Sequence, residues 1–404
     1  MALPQLRFKS FTAEWSKRRL DSFLERVSKP VDVVDVQEYV QIGIRSHGKG
    51  IFHKEAVTGK ELGNKRVFWI VPNALVVNIV FAWERAIAVT SENENGLIAS
   101  HRFPMYLPKN NLSNVDFLRY MFITNKGQSY LELASPGGAG RNKTLGQSNF
   151  AELKIDLPDV EEQTKIASFL SAVDEKIKQL TQKHELLSQY KQGMMQKLFS
   201  QQIRFKADDG SEFGEWEEKE LKDVANLTSS KRVHLADYVS KGIPFFRGKE
   251  ITELKSGGFP SDILYISPIQ FNEFKEKFGA PKNGEILITA VGTLANTYLI
   301  NTNYEFYFKD GNLIWLKDIK SNPNFLMILL DAHKNDVLAS AIGSTQKALT
   351  IANLNKLIFK FPTLEEQTKI SNFLFAIDQK IEVVAKQIEQ AKQWKKGLLQ
   401  QMFV

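Results

Sequence analysis

The chain is written twice. Residues 153–200 align with residues 357–404 at a constant offset of 204 without a gap, and 20 of 48 positions are identical. The hexapeptide Glu161-Glu162-Gln163-Thr164-Lys165-Ile166 returns as Glu365-Glu366-Gln367-Thr368-Lys369-Ile370. A weaker echo precedes each copy: Arg7-Phe8, then Glu14-Trp15 and Leu20, against Arg204-Phe205, then Glu215-Trp216 and Leu221. A duplication of this kind limits the fold to one unit of about 200 residues made twice, each unit passing from a globular region into the repeated segment.

The repeated segment reads as a long helix. Pro158 and Pro362 close apolar strand-like stretches, Asp159 and Thr363 stand where N-caps belong, and Glu162 and Glu366 follow at capping-box spacing. Apolar residues then alternate at steps of four and three. In the first copy they are Ile166, Leu170, Val173, Ile177, Leu180, Leu187, Met194 and Leu198; the second runs from Ile370, Leu374 and Ile377 to Leu398 and Met402. That is a heptad seam about five repeats long, broken by the polar residues His184, Lys191 and Lys395, of which His184 reads as a register-setting or partly solvated seam residue rather than a ligand or switch. Two helices of about 40 residues, at about 1.5 Å per residue, would each span about 60 Å. Neither can hide its stripe alone, so they are expected to pack on each other. An antiparallel arrangement is preferred, because a repeated unit closes most easily through self-complementary contacts.

The expected organisation is α+β: two globular domains, 1–158 and 203–362, separated by two long antiparallel coiled-coil helices, 159–202 and 363–404, in a pseudo-two-fold internal repeat. β-rich runs mark the globular regions, among them 65–70, 74–81, 285–290 and 312–316, and short helices are expected at 115–124 and 324–333. The middles of the two regions align poorly and their edges well.

Composition removes several functions. There is no cysteine, which excludes disulfides, zinc-thiolate sites and cysteine nucleophiles. No run of 18 apolar residues and no secretion leader is visible, so a cytoplasmic protein without a membrane partner is expected. Gly43–Gly50 approximates a phosphate-binding loop but has Gly50 where a magnesium-binding hydroxyl belongs. Asn322-Pro323-Asn324-Phe325 approaches the box of amino-methyltransferases without its second proline and reads better as a turn opening a helix. The six histidines show no metal-binding spacing. No catalytic residue and no metal ligand is assigned.

Basic and polar residues instead gather beside glycines. The first region has Arg45, His47 and Lys49 within Gly43–Gly50, then Lys54, and later Arg141 and Lys143 in a Gly-Gly-Ala-Gly run. The second has Arg247 and Lys249 around Gly248, and Thr345, Gln346 and Lys347 after Gly343. Glycine lets a backbone approach phosphate, while Arg, Lys and Gln supply donors to phosphates and base edges, so these eleven side chains are the candidate DNA contacts. The net charge of +7 adds only modestly.

Two variable heads alternating with two near-identical helices closely resemble the specificity subunit of type I restriction-modification enzymes. The repeated helix entries after Pro158 and Pro362, the loop Gly343–Lys347 and the Arg-Phe…Glu-Trp openings carry the resemblance; the first head departs from it by lacking Ser-Thr-Gln in its corresponding loop. The resemblance implies that each head is a target-recognition domain for one half of a bipartite double-stranded DNA sequence. It also implies that the helices set the gap and dock two methyltransferase subunits, with restriction/translocase subunits joining them. Docking then falls on Glu161, Glu162, Gln163 and Lys165, with Glu365, Glu366, Gln367 and Lys369. No cofactor is expected on this chain; S-adenosylmethionine, ATP and magnesium would reside on the partners. The competing reading is a non-catalytic coiled-coil adaptor that binds only proteins.

Overall fold

A computed structural model of the chain describes residues 3–137 and 143–403. It divides into two compact units, one formed by residues 1–183 with 384–404, the other by 184–383. The division cuts across both long helices, so each unit consists of a head and one half of each helix. The first long helix is Val160–Phe199 and the second Leu364–Met402, within a few residues of the expected bounds.

In the first unit the strands are β1 (Ser16–Arg19), β2 (Leu24–Val27), β3 (Glu38–Ile44), β4 (Ile51–Thr58), β5 (Val67–Trp69), β6 (Leu75–Val77), β7 (Ile87–Val89), β8 (Ile98–Ser100), β9 (Met105–Pro108) and β10 (Lys154–Leu157). In the second they are β11 (Glu217–Glu220), β12 (Asn226–Thr228), β13 (Tyr238–Val239), β14 (Ile243–Phe246), β15 (Leu264–Ile266), β16 (Ile286–Thr289), β17 (Thr297–Leu299), β18 (Tyr307–Phe308), β19 (Leu313–Lys317) and β20 (Ile358–Phe361).

The scaffolds match in all strands but one. Antiparallel β1–β10 and β11–β20 pairs join the opening of each head to the strand that feeds its helix. The sheet β2-β9-β6-β7 has its counterpart in β12-β19-β16-β17. In the remaining sheets, β3 is antiparallel to β4 and parallel to β8, as β14 is to β15 and β18. The fourth strand differs: β5 extends the sheet beyond β8, whereas β13 extends it beyond β15.

Each head closes its core against the helices. Phe117, Leu118 and Phe122 of the helix Val115–Phe122 pack in one cluster with Ile166, Leu170, Leu398 and Met402. Phe325, Leu326 and Leu329 of the helix Pro323–Ala332 do the same with Ile370, Leu374 and Leu198. Burying each such side chain contributes about 1.5–3 kcal/mol. In each unit, residues late in one long helix meet residues early in the other, so the segments run antiparallel. Lys395 pairs with Asp174 in the first unit, and Lys191 with Asp378 at 2.6 Å in the second. Both partners are displaced by the repeat offset, which is the reciprocity of a self-complementary contact. The seam lysines are therefore ion-paired across helices, while His184 is half-buried.

The chain's opening completes the second copy. The Leu6 amide donates to the Gln401 carbonyl at 2.9 Å, as the Ile203 amide does to the Lys197 carbonyl at 3.2 Å. The end of the second helix thus meets residues near the start of the chain in the way the first helix meets its own continuation.

Candidate nucleic-acid interface

Gly43–Gly50 is the tip of the β3–β4 hairpin, closed by the Arg45 amide on the Gly50 carbonyl at 3.0 Å. A phosphate-binding loop needs a strand turning into a helix; here one strand turns back along another, which removes the nucleotide reading. The tip leans on the turn Ala82–Glu84. The His47 and Gly48 amides donate to the Glu84 and Arg85 carbonyls at 2.7 and 3.0 Å, and the Ser46 hydroxyl donates to the Glu84 carboxylate at 2.6 Å. Gly48 takes φ +66°, and a Cβ there would come within 2.7 Å of the Ile123 side chain, so only glycine fits.

The tip presents Arg45, His47 and Lys49, all exposed. The Arg45 guanidinium lies 4.6 Å over the Phe52 ring and donates to the Ile51 carbonyl, which lays it along the partner strand of its own hairpin, with no acidic partner among the described residues. Lys143 approaches the Trp83 ring at 5.9 Å, on the same turn that the tip leans on, so the structure brings these two basic clusters together. Arg141 lies outside the described residues. Lys54 is exposed farther along β4, where the pairing shifts register between Val40 and Ile42.

In the second head, Arg247 follows β14 as Arg45 follows β3, so the two arginines leave equivalent strands. Their surroundings differ. A helix, Gly248–Lys255, starts at Arg247, and the Arg247 guanidinium forks onto buried Glu250 through Nε at 3.1 Å and Nη2 at 2.5 Å. Burial raises the Glu250 carboxyl, but the Arg247 bonds outweigh it and hold the group below its ordinary value. Arg247 as a free DNA donor is therefore corrected: its fork is occupied within the head. Lys249 remains exposed, 3.7 Å from Glu253.

Thr345, Gln346 and Lys347 sit on a small loop closed by two backbone bonds between Ile342 and Ala348, at 2.9 and 2.8 Å. Gly343 makes the turn at φ +114°, where an added Cβ would meet the Gln346 carbonyl at 2.3 Å. The three side chains are exposed. The Leu349 amide ties this loop to Ala290 at the end of β16, and the following residues Val291–Thr293 share an open groove of about 630 Å³ with Arg247 and Lys249. The two predicted clusters of the second head thus lie near this groove, one at the end of β14 and the other tied to the end of β16, strands of two different sheets.

The repeated hexapeptide has a different task from the one its repetition suggested. Glu162 does not complete a capping box; its carboxylate takes the Arg7 guanidinium, Nε and Nη2 both at 2.7 Å. Glu366 takes Arg204 at 3.1 and 2.7 Å and also the Trp216 indole at 3.2 Å. Gln163 donates to the Pro158 carbonyl and accepts from the Asn114 amide; Gln367 does the same with Pro362 and Asn322. Asn114 and Asn322 in turn cap the helices that follow them, so the Asn-Pro-Asn-Phe segment is the helix-opening turn. Glu162, Gln163, Glu366 and Gln367 are all buried, at 2%, 0%, 0% and 4% exposure, and cannot be docking residues in this conformation. They form the joint between head and helix. Glu161 and Glu365 are exposed, Lys165 lies over the Phe8 ring, and Lys369 bonds the Lys206 carbonyl and Asp208. Sequence reasoning passed over Leu186, Tyr190, Phe375, Val383 and Trp394, large apolar residues more than half exposed on the long helices. The available signal was that they lie outside the heptad seam.

Among the described residues no three His, Asp or Glu side chains gather as a metal cage, and no helix is long and apolar enough to cross a membrane.

The profile of the type I restriction modification DNA specificity domain matches residues 49–189 and 214–393, once per copy of the repeat. The type I restriction enzyme MjaVIII specificity subunit of Methanocaldococcus jannaschii is 24% identical over 415 aligned residues, covering 96% of this chain and 91% of that protein. A putative type I restriction enzyme specificity subunit of Haemophilus influenzae, S.HindORF215P, is 33% identical over 159 residues, 38% of each chain. In fold the chain is similar to the crystal structure of the type I restriction-modification S subunit from M. genitalium, with a TM-score of 0.60, 16% identity and coverage of 100% and 99%. It is similar also to the HsdS subunit from Thermoanaerobacter tengcongensis, with a TM-score of 0.52, 18% identity and 97% of each chain covered.

Proposed function

Since the chain belongs to the type I restriction-modification DNA specificity family, as a non-catalytic recognition subunit with two target-recognition domains, we propose how its parts divide that work. Residues 1–158 read one half of a split duplex target and 203–362 the other. The helices 159–202 and 363–404 set the number of unread base pairs between them. The observation that carries this reading is the placement of glycine-flanked basic residues where equivalent strands of both heads end, Arg45 and Lys49 after β3 and Lys249 after β14, each beside a second loop. Cations there supply phosphate affinity, and a few exposed side chains such as Gln346 and Lys347 supply base readout.

On this reading the partners are two methyltransferase subunits, which bring S-adenosylmethionine, and restriction/translocase subunits, which bring ATP and magnesium, all in the cytoplasm. Docking uses the exposed Glu161, Lys165 and Glu365 and the half-buried Lys369, together with the apolar Tyr190, Phe375 and Trp394. Sequencing protected or methylated positions in DNA from cells carrying the chain and its partners tests the whole proposal. A two-part motif with a fixed gap is expected, and inserting residues in one helix should lengthen the gap while leaving both halves unchanged. A single contiguous motif refutes it.

A further inference from the structure

The first unit contains a groove of about 790 Å³ where the hairpin tip, the start of the helix Asn125–Leu133 and the last turns of the second long helix converge. Its charged lining is entirely basic: Arg85, Lys126, Lys392, Lys395 and Lys396, with His47 beside them. We infer that this groove holds the phosphate backbone of duplex DNA beside the half-site read by the first head.

The cations are not equally committed. Lys395 is bound to Asp174, Lys126 to Asp156 at 3.2 Å, and Lys392 to its helical neighbour Glu389 at 2.9 Å. Lys396 is exposed and has no ion pair among the described residues. The Arg85 Nε is buried without a hydrogen-bond partner, although its Nη1 donates to the Ile123 carbonyl at 3.2 Å. Thr124, Asn125 and Lys126 bring in a helix N-terminus, where the Thr124 hydroxyl caps the Gly127 amide at 3.0 Å and the dipole favours an anion. An unpaired lysine, an unspent Arg85 donor and the absence of a carboxylate from the lining itself together suit a polyanion. His47 and Gly48 belong to both the groove wall and the tip that meets the target, so a strand lying in the groove would continue directly from the read bases.

The feature is particular to this half. One repeat earlier, Lys392 and Lys396 become Ser188 and Gln192, and only Lys395 recurs, as Lys191. The second long helix therefore carries a non-specific grip that the first lacks.

The inference rests on the DNA-reading proposal, and one experiment separates them. Binding of a mixed-sequence duplex to the full chain is measured across a salt series for wild type, for Lys392→Gln/Lys396→Gln, and for Lys176→Gln/Lys178→Gln, which lie exposed on the first long helix outside the groove. Each phosphate contact contributes about 0.9 to the slope of log affinity against log salt. The groove variant should lower the slope by about one to two, so that a fourfold rise in salt costs it up to about tenfold less affinity than it costs wild type. Thermal unfolding and discrimination between target sequences should be unchanged. The control pair should keep the wild-type slope. An unchanged slope in the groove variant, or an equal fall in the control, overturns the groove while leaving the recognition proposal standing. Salt-indifferent binding by wild type overturns both.

Discussion

The two heads share a joint and differ at the tip. At the joint, Arg7–Glu162 repeats as Arg204–Glu366, Gln163 as Gln367, Asn114 as Asn322, and Phe8 on Phe169 as Phe205 on Phe373. At the tip, β3 turns straight back into β4 in the first head, whereas β14 runs into a helix in the second, and the arginine leaving each strand is free in one and neutralised in the other. The contrast shows where the duplicated unit can vary. Buried hydrogen-bonded groups at the joint cannot be exchanged singly without stranding a partner, while exposed loops can change at little cost to stability.

The strongest break of that symmetry comes at the joint. Removing Glu366 strands Arg204 and the Trp216 indole, and Glu366→Ala should cost about 3–5 kcal/mol in the unfolding of the second unit. Glu162→Ala should cost the first unit less, because the Trp15 indole has no bond to lose. Chemical denaturation of both variants checks the ranking, and equal costs would show that the indole bond adds nothing.

At the tips the expected effect is smaller and one-sided. Lys347→Ala should weaken recognition of one half-site by about 1–3 kcal/mol and leave the other intact, while Lys49→Ala should affect the other half alone. Competition binding with duplexes altered in either half reads this directly. Losses shared between the halves would contradict separate readers.

Within the coil, Lys191→Met and Lys395→Met should each change stability by no more than about 1 kcal/mol, since their ion pairs are partly solvated. The two values should agree, because the contacts are copies. A difference of several-fold in equilibrium constant would show that the halves of the coil are not equivalent.

The smallest difference appears in how stability depends on pH. Glu250 is held below its ordinary value, so its stabilising contribution is complete above the usual carboxylate range and is lost as pH falls through the depressed value. In Arg247→Gln, burial without the compensating guanidinium should raise that value, so the contribution is already missing at neutral pH and the loss of stability on acidification should shrink or reverse. Among the described residues Arg45 has no carboxylate partner, so Arg45→Gln should leave the acid limb unchanged. Denaturation curves recorded from neutral pH downward test the pair; identical acid limbs for all three proteins would remove the role given to Glu250.

Legibility followed the range of the forces involved. The helices were readable because the 3.5-residue alternation is local, and the helices 115–124 and 324–333 because Asn114 and Asn322 precede apolar runs. The strands were found but overextended: 74–81 shortens to Leu75–Val77 because Asn78 begins a turn, its amide on the Ala86 carbonyl. The basic loops were also visible as composition. That Arg247 is occupied and Arg45 is not was invisible, since it depends on Glu250 being folded under the strand end by a helix whose start no local signal marked.

The sequence alone determined that there are two copies of one unit, that each ends in a long amphipathic helix, and that the heads diverge between fixed edges. Repetition and periodicity are properties of the order of residues, and packing only had to satisfy them. The tertiary structure decided what Glu162, Gln163, Glu366 and Gln367 do, turning conspicuous repeated polar residues inward to fasten head to helix. It also brought Leu6 to the end of the second helix. Those outcomes depend on desolvated partners distant in the chain, 155 and 162 residues away for the two glutamates and 49 and 45 for the amides that the glutamines take, and the free energy of burying a charge is set by what surrounds it in space.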